Sequence, residues 1–383
     1  MIAYSKQSID AIEIRKETNT WLKLGLIDSA TKSNIFNSYP KKFKTTTLFA
    51  KVGSFIFTFL AVVASVSLLS VISMGILDIL GMTGTGIGVL ISAILCTLFL
   101  EKQIQENNLY RSGIDNALIY YSAFSAIASF VMMINFHSSL IIYFIAFVIF
   151  VGYSIRYADL LMSVSAYISL LCFFYYLLLG VGFSILPFSF MLFSALAYFT
   201  SNRQLNSETL KYWRKCLQSI RVASLLSFYI AGNYFVIRSA TENLFYKRMP
   251  EGQDIPMAIF FYIFTAVIPL LYIYWALRSK DRYMLFTGLV ITVASSLTFK
   301  HYFSLGHPEI LLTAVGALLI LIAYVSIRYL KTPRHGLTYE ADMDRKELEA
   351  LAIAQTFGKV AGPNEGSRMG DGEFGGGGAG GGF

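Results

Sequence analysis

Long apolar runs alternate with short polar connections, and between residues 48 and 330 the alternation repeats ten times. The runs are continuous rather than alternating residue by residue, which predicts helices and not barrel strands. Ten spans are expected, at 48–75, 82–100, 114–134, 139–155, 160–180, 185–201, 217–237, 256–277, 283–299 and 308–330. One bilayer crossing needs about 20 apolar residues. Residues 116–155 and 160–202, stretches of 40 and 43, contain no Asp, Glu, Lys or Arg, so a water-soluble fold is not expected. The fold class that follows is all-α, a polytopic membrane protein of ten transmembrane helices.

Proline placement supports several of these boundaries. Pro187, Pro256 and Pro308 fall at first helical turns, where a missing N–H costs nothing. Pro269 lies mid-span and predicts a kink in the eighth helix. The fourth span is short enough to tilt or re-enter. The seventh has only 16 charge-free residues, 222–237, so Arg221 is expected to snorkel to an interface. Gly84 and Gly88, among the glycines at the start of the second span, form a small-xxx-small pair that suggests close helix packing.

Charge orients the pattern. With the N-terminus placed inside, 27 of the 31 Lys and Arg fall on the cytoplasmic side, and only Arg238, Lys247, Arg248 and Lys300 fall outside. Basic residues resist translocation and meet an anionic leaflet, so both termini are expected to be cytoplasmic. The net charge of +8 is then a topogenic signal, and no nucleic-acid partner is expected. The first run begins too late for a cleaved signal peptide and is expected to stay as an anchor.

Four segments follow. Residues 1–47 read as a basic cytoplasmic helical hairpin: a helix over 5–24, a break at Gly25-Leu26-Ile27, then Asp28 as N-cap of a helix ending before Pro40. Residues 48–330 form the transmembrane domain. Residues 331–357 carry an amphipathic helix expected over 340–357. In 358–383, 12 of 26 residues are glycine, which predicts a disordered tail.

The stretch Trp21-Leu22-Lys23-Leu24-Gly25-Leu26-Ile27-Asp28 resembles the opening of an uncharacterised family of predicted bacterial membrane proteins. In that family a cytosolic helix pair with a tryptophan and a Gly-Leu-Ile turn precedes many spans. The resemblance covers about 30 residues and implies a polytopic protein of unknown function; together with the glycine-rich tail it leads to the expectation of a bacterial inner membrane. Ten spans with both ends inside are also similar in architecture to drug and metabolite transporters, whose halves are inverted repeats.

Chemistry-bearing motifs are sparse. Cys96, Cys172 and Cys216 follow no metal or redox spacing, and neither His-Glu-x-x-His nor Gly-x-Ser-x-Gly occurs, so no enzyme and no cofactor is expected. His301, His307 and Glu309 could together offer nitrogen and oxygen ligands to a divalent metal, against a simpler reading as solvated loop residues. Asp115 lies one turn after Arg111, an expected interfacial ion pair. Arg238 and Glu242 form a second such pair, with Arg238 as an alternative anion contact. Asn233 suggests interhelical hydrogen bonding, and Tyr229, Tyr262 and Tyr272 are the deepest tyrosines and the expected lining of any cavity.

Two functions are expected from different classes. The first is a scaffold or assembly component that contacts the lipid bilayer and binds protein partners through its cytoplasmic ends, with Trp21, Phe374 and Phe383 as contacts. The second is a secondary carrier for a small, mostly apolar metabolite.

Overall fold

The computed structural model describes residues 2–43, 47–72, 74–134, 139–179, 185–243 and 254–303, with five isolated positions between 313 and 324. Every regular element among them is helical. In chain order these are α1 (Lys6–Lys23), α2 (Ser29–Ser38), α3 (Leu48–Ile72), α4 (Met74–Asn107), α5 (Ile114–Met133), α6 (Ser139–Tyr157), α7 (Leu160–Leu178), α8 (Leu186–Gln204), α9 (Arg214–Gly232), α10 (Tyr234–Asn243), α11 (Ala258–Ser279) and α12 (Arg282–Phe303). A 3₁₀ turn, Glu208–Trp213, leads into α9.

The chain divides into two units. The described part of one is the hairpin α1–α2; the other comprises residues 1–5 and 43–339. The hairpin turns at Gly25, whose φ of +73° suits a residue without a Cβ. Asp28 then caps α2 by accepting the N–H of Thr31 at 2.8 Å. Arg15 closes the far end of α2, donating to the carbonyls of Phe36 and Tyr39. Trp21, Ile27 and Ile35 make the hairpin's core. Trp21 is 1% exposed, so its indole is committed to internal packing and corrects the expectation of a partner contact there.

Among the described residues of the larger unit, seven helices are long and apolar enough to cross a membrane: Leu48–Leu68, Gly81–Asn107, Ile114–Met133, Ser139–Tyr157, Leu160–Leu178, Ala258–Ser279 and Arg282–Phe299. Their outward faces stay apolar, as Phe57, Leu98, Val148, Ile168, Ile263 and Phe286 show. Of the other three expected spans, the sixth is α8, which has span length but polar residues at its end. The tenth is described at only five positions between 313 and 324, and the helix expected over 340–357 and the glycine-rich tail lie outside the described residues.

The seventh is not one helix. Glu208–Gly232 and Tyr234–Glu242 qualify together but meet at 64°. By contrast, Pro269 does not interrupt α11, which runs unbroken from Ala258 to Ser279. The expected kink and the observed break therefore fall on different helices.

Neighbouring spans pack mainly as hairpins: α4 on α5, α6 on α7, α8 on α9 and α11 on α12. Gly81, with a positive φ, breaks the line of α4. Gly86 allows its close approach to α5, because a Cβ there would meet the Ser129 carbonyl at 3.0 Å. The small-residue cluster thus sets a helix contact, centred on Gly86. The bent α9–α10 segment also packs against α7, α11 and α12.

Candidate functional site

The break between α9 and α10 strands backbone groups that an uninterrupted helix would bond. Gly232 has low helix propensity, and Asn233 is a strong N-cap, so the dipeptide invites an end and a restart. Asn233 takes an extended conformation (φ −75°, ψ 126°), and its side-chain carbonyl accepts the N–H of Val236 at 3.3 Å. Its amide group donates to the Tyr229 hydroxyl at 3.0 Å and to Thr298 Oγ1, on α12, at 3.2 Å. The N–H of Tyr234 has no helical acceptor; it donates to Thr265 Oγ1, on α11, at 3.0 Å.

Thr265 joins this break to the proline on α11. Pro269 has no N–H to give the carbonyl four residues earlier, which is that of Thr265. Ser295, on α12, donates its hydroxyl to that carbonyl at 2.8 Å. Two irregular backbones on facing helices are thus satisfied through Thr265, Ser295 and Thr298, all buried. Gly232 makes the close approach possible, since a Cβ on it would lie 2.6 Å from two atoms of the Phe264 ring.

Cavities flank the break. One of about 510 Å³ lies among α7, α8, α9 and α10, with Leu171, Phe190, Ala231 and Ala240 on its walls. A second of about 470 Å³ lies between α9–α10 and α12 and includes Tyr229, Asn233 and Thr298. Leu226, Ile230 and Val236 line both, so the bent segment is the partition between them. A third, of about 410 Å³, lies toward the Arg221 end of α9 and is lined by Ser194, Tyr198, Asn202 and Tyr272, among others. The walls are mainly apolar with a few fixed polar groups, which suits small, mostly apolar guests.

A hydroxyl cluster separates the first cavity from the third. Tyr167 and Ser227, on the first, share a hydrogen bond of 2.5 Å, and both bond Ser194, which faces the third. No single spacing announces this trio, because it comes from three different helices.

Of the expected cavity residues, Tyr229 and Asn233 meet at the second cavity and Tyr272 lines the third, its hydroxyl donating to the Leu225 carbonyl at 3.2 Å. Tyr262 lines none of the three; it stacks on Tyr234 with ring centroids 4.0 Å apart. Arg238 also stands away from them, donating to Glu242 at 3.2 Å and to the Tyr234 hydroxyl at 2.9 Å, which in turn donates to Asp254. His307, Glu309, Phe374 and Phe383 lie outside the described residues, as does the side chain of His301. Among the described residues no three His, Cys, Asp or Glu side chains come together as a metal site.

A second polar region ties the helix ends opposite the break. Asp115 and Arg111 meet, though not as side chains. Asp115 sits in the first turn of α5, where unbonded N–H groups cluster. It accepts those of Arg111 (2.7 Å) and Ser112 (2.8 Å) and the hydroxyl of Tyr4 (3.1 Å). The Arg111 guanidinium turns instead to the Ala158 carbonyl. Burial and the adjacent Asp115 carboxylate hold the Tyr4 phenol well above its ordinary pKa of 10.0. Asp159 caps α7 by accepting the N–H of Met162 and also receives the Tyr120 hydroxyl. Its carboxyl is nevertheless pushed up, because burial outweighs those donors. Glu101 holds Arg156 through two contacts, at 2.8 and 2.7 Å, and accepts from Tyr157. Ala3 donates its N–H to the Arg156 carbonyl, so the first residues are bound into this region.

Comparison with protein-family models, with curated proteins and with solved structures found no match to this chain.

Proposed function

We propose that the chain is a polytopic membrane protein that binds, and carries across the bilayer, a small and mostly apolar compound at the break between α9 and α10. The observation behind this reading is the discontinuous helix itself, its freed backbone bonded by α11 and α12 and its sides lined by cavities. Irregular backbone at membrane depth is tolerated where protein buries it or where it borders a cavity. Secondary carriers place their sites at such interrupted helices. Arg221 and Asn233 are twelve residues apart, or about 18 Å of helix. With Arg221 at an interface, Asn233 lies in the middle third of a hydrocarbon layer about 30 Å thick.

On this reading the chain crosses ten times in a bacterial inner membrane, with α9–α10 as one broken span, 308–330 as the last, and both termini in the cytoplasm. The basic residues on the connections support that orientation. A scaffold role is less well supported, since Trp21 is taken up by the hairpin's own core.

The test uses the full chain in lipid nanodiscs and the fluorescent probe N-phenyl-1-naphthylamine. Saturable binding above that of empty discs is expected. Ala231→Trp and Ala294→Trp, which fill the first and second cavities, should each weaken it. The milder Ala231→Leu and Ala294→Leu serve if the tryptophan variants do not fold. Binding no different from empty discs, or unaffected by either filling, would overturn the proposal.

A further inference from the structure

We propose that the groove on the hairpin α1–α2 binds a phosphate group, that of an anionic phospholipid, through Arg15 and Lys32. This goes beyond the carrier reading and does not depend on what the cavities beside Asn233 hold.

The groove is an open cavity of about 790 Å³ within the hairpin. Arg15 lines it from α1, and Lys32, Phe36 and the polar side chains of Ser29 and Ser33 line it from α2. Lys41 lines it where the chain leaves α2. None of the hairpin's acids, Asp10, Glu13, Glu17 and Asp28, is on its walls. Asp28, next to Ser29, commits its carboxylate to the Thr31 N–H.

Two of the cations are set in place by the hairpin itself. Nη1 of Arg15 donates to the carbonyls of Phe36 and Tyr39 at 3.1 and 2.9 Å, and its guanidinium lies 4.0 Å from the centre of the Phe36 ring. Lys32 Nζ lies 5.3 Å from the centre of the same ring. The ring attracts each cation, but two like charges at one ring repel each other. Among the described residues neither pairs with a carboxylate. Nε and Nη2 of Arg15 remain as a fork that matches two phosphate oxygens, and Lys32 adds a point charge. Because α2 already orders Arg15, binding costs that side chain little further freedom.

Two features of the chain favour a lipid over a soluble phosphate. No Asp or Glu occurs from 29 to 77, while Lys32, Lys41, Lys42, Lys44 and Lys51 follow one another into the first turn of α3. Lysines grouped at the foot of a membrane helix are drawn to anionic headgroups. Residues 41–47 are all that separates Pro40, on the groove, from the start of α3. Fully extended, that link reaches under about 30 Å, so connectivity alone keeps the groove near the headgroups.

The full chain in a neutral detergent is titrated with dihexanoylphosphatidylglycerol and, as the zwitterionic control, dihexanoylphosphatidylcholine, with binding followed by microscale thermophoresis. The anionic lipid should bind at least about fivefold tighter. Lys32→Gln should weaken it about fivefold, the share of one cation at an anionic surface, and Lys32→Arg should restore it. Lys16→Gln removes the same charge from an exposed position of α1 off the groove, and should leave the affinity within about twofold. Neither lysine belongs to the hairpin's core, so these variants should fold.

Equal affinity for the two lipids, or equal losses in Lys32→Gln and Lys16→Gln, would overturn the assignment. sn-Glycerol 3-phosphate should bind at least about tenfold more weakly than the lipid. A matching affinity would make the ligand a soluble phosphate ester and overturn the lipid as its source. A chain ending at Tyr339 should bind the lipid within about twofold of the full chain. Tighter binding would name the acidic stretch 340–349, which has five carboxylates, as the groove's occupant in the intact protein and would overturn the lipid assignment.

Discussion

Gly232→Ala separates two opposed effects at the centre of the structure. Gly232 ends α9 in ordinary helical backbone, and alanine is the better helix former there by about 0.8–1 kcal/mol. Were α11 free to move aside, the variant would be the more stable protein. The added Cβ, however, would come within 2.6 Å of Phe264 Cδ1 and Cζ. That ring is 7% exposed and hemmed by Phe228 and Phe260, so it has little room to retreat. Overpacking of this kind costs about 1–3 kcal/mol. The clash should therefore win, leaving Gly232→Ala less stable by up to about 2 kcal/mol once the propensity gain is subtracted.

The assay is reversible unfolding of the purified chain in a mild detergent, for wild type, Gly232→Ala, Phe264→Leu and the double variant. Leucine removes the ring atoms that meet the new methyl group, so the double variant should be more stable than the sum of the single losses predicts. A coupling of about 1 kcal/mol or more is expected for side chains in contact. A stabilised Gly232→Ala, or strict additivity, would refute the close packing of the break against α11.

Two further outcomes follow from hydrogen bonds and titration. Ser295→Ala leaves the Thr265 carbonyl without its donor and should destabilise the protein by about 1–3 kcal/mol. In a Pro269→Ala background the helix regains its own N–H, so the same thermal-unfolding measurement should show that loss at least halved. Asp159 governs a pH effect. Its folded-state pKa lies above the ordinary 3.8, so its contribution to stability is full below that value and is lost as pH rises through the raised one. Asp159→Asn can still cap α7 and does not titrate. The Tm difference, wild type minus Asp159→Asn, should therefore fall as pH rises from about 3.8; a difference that grows with pH would contradict it.

Local signals in the sequence reached the elements well. The Asp28 cap, the Gly25 turn and the starts of α6 and α7 depend on residues within one turn of one another, and all were legible. The break at Asn233 was not. Apolar periodicity reads straight through it because Tyr234 to Ile237 are as apolar as the turns before, and the Gly-Asn pair was the only warning. What makes the break affordable lies 31 to 65 residues away, at Thr265 and Thr298, and no pattern within α9 reports it.

Pro269 is the complementary case. Its cost was visible, but the hydroxyl of Ser295 that meets the Thr265 carbonyl was not. Asn233 and Tyr229 were recognised as a polar residue and a deep tyrosine, yet their direct bond needs the fold. Trp21 shows the converse error: a large aromatic in a charged segment resembles a contact residue until its partners Ile27 and Ile35 close over it.

The most direct measurement is a single-particle electron cryomicroscopy map of the full chain in lipid nanodiscs, at a resolution that shows side chains. The expected map has α9 ending at Gly232, α10 leaving it at about 64°, and non-protein density beside Asn233 in at least one flanking cavity. A straight helix running through residue 233, or side chains filling both cavities, would contradict the account.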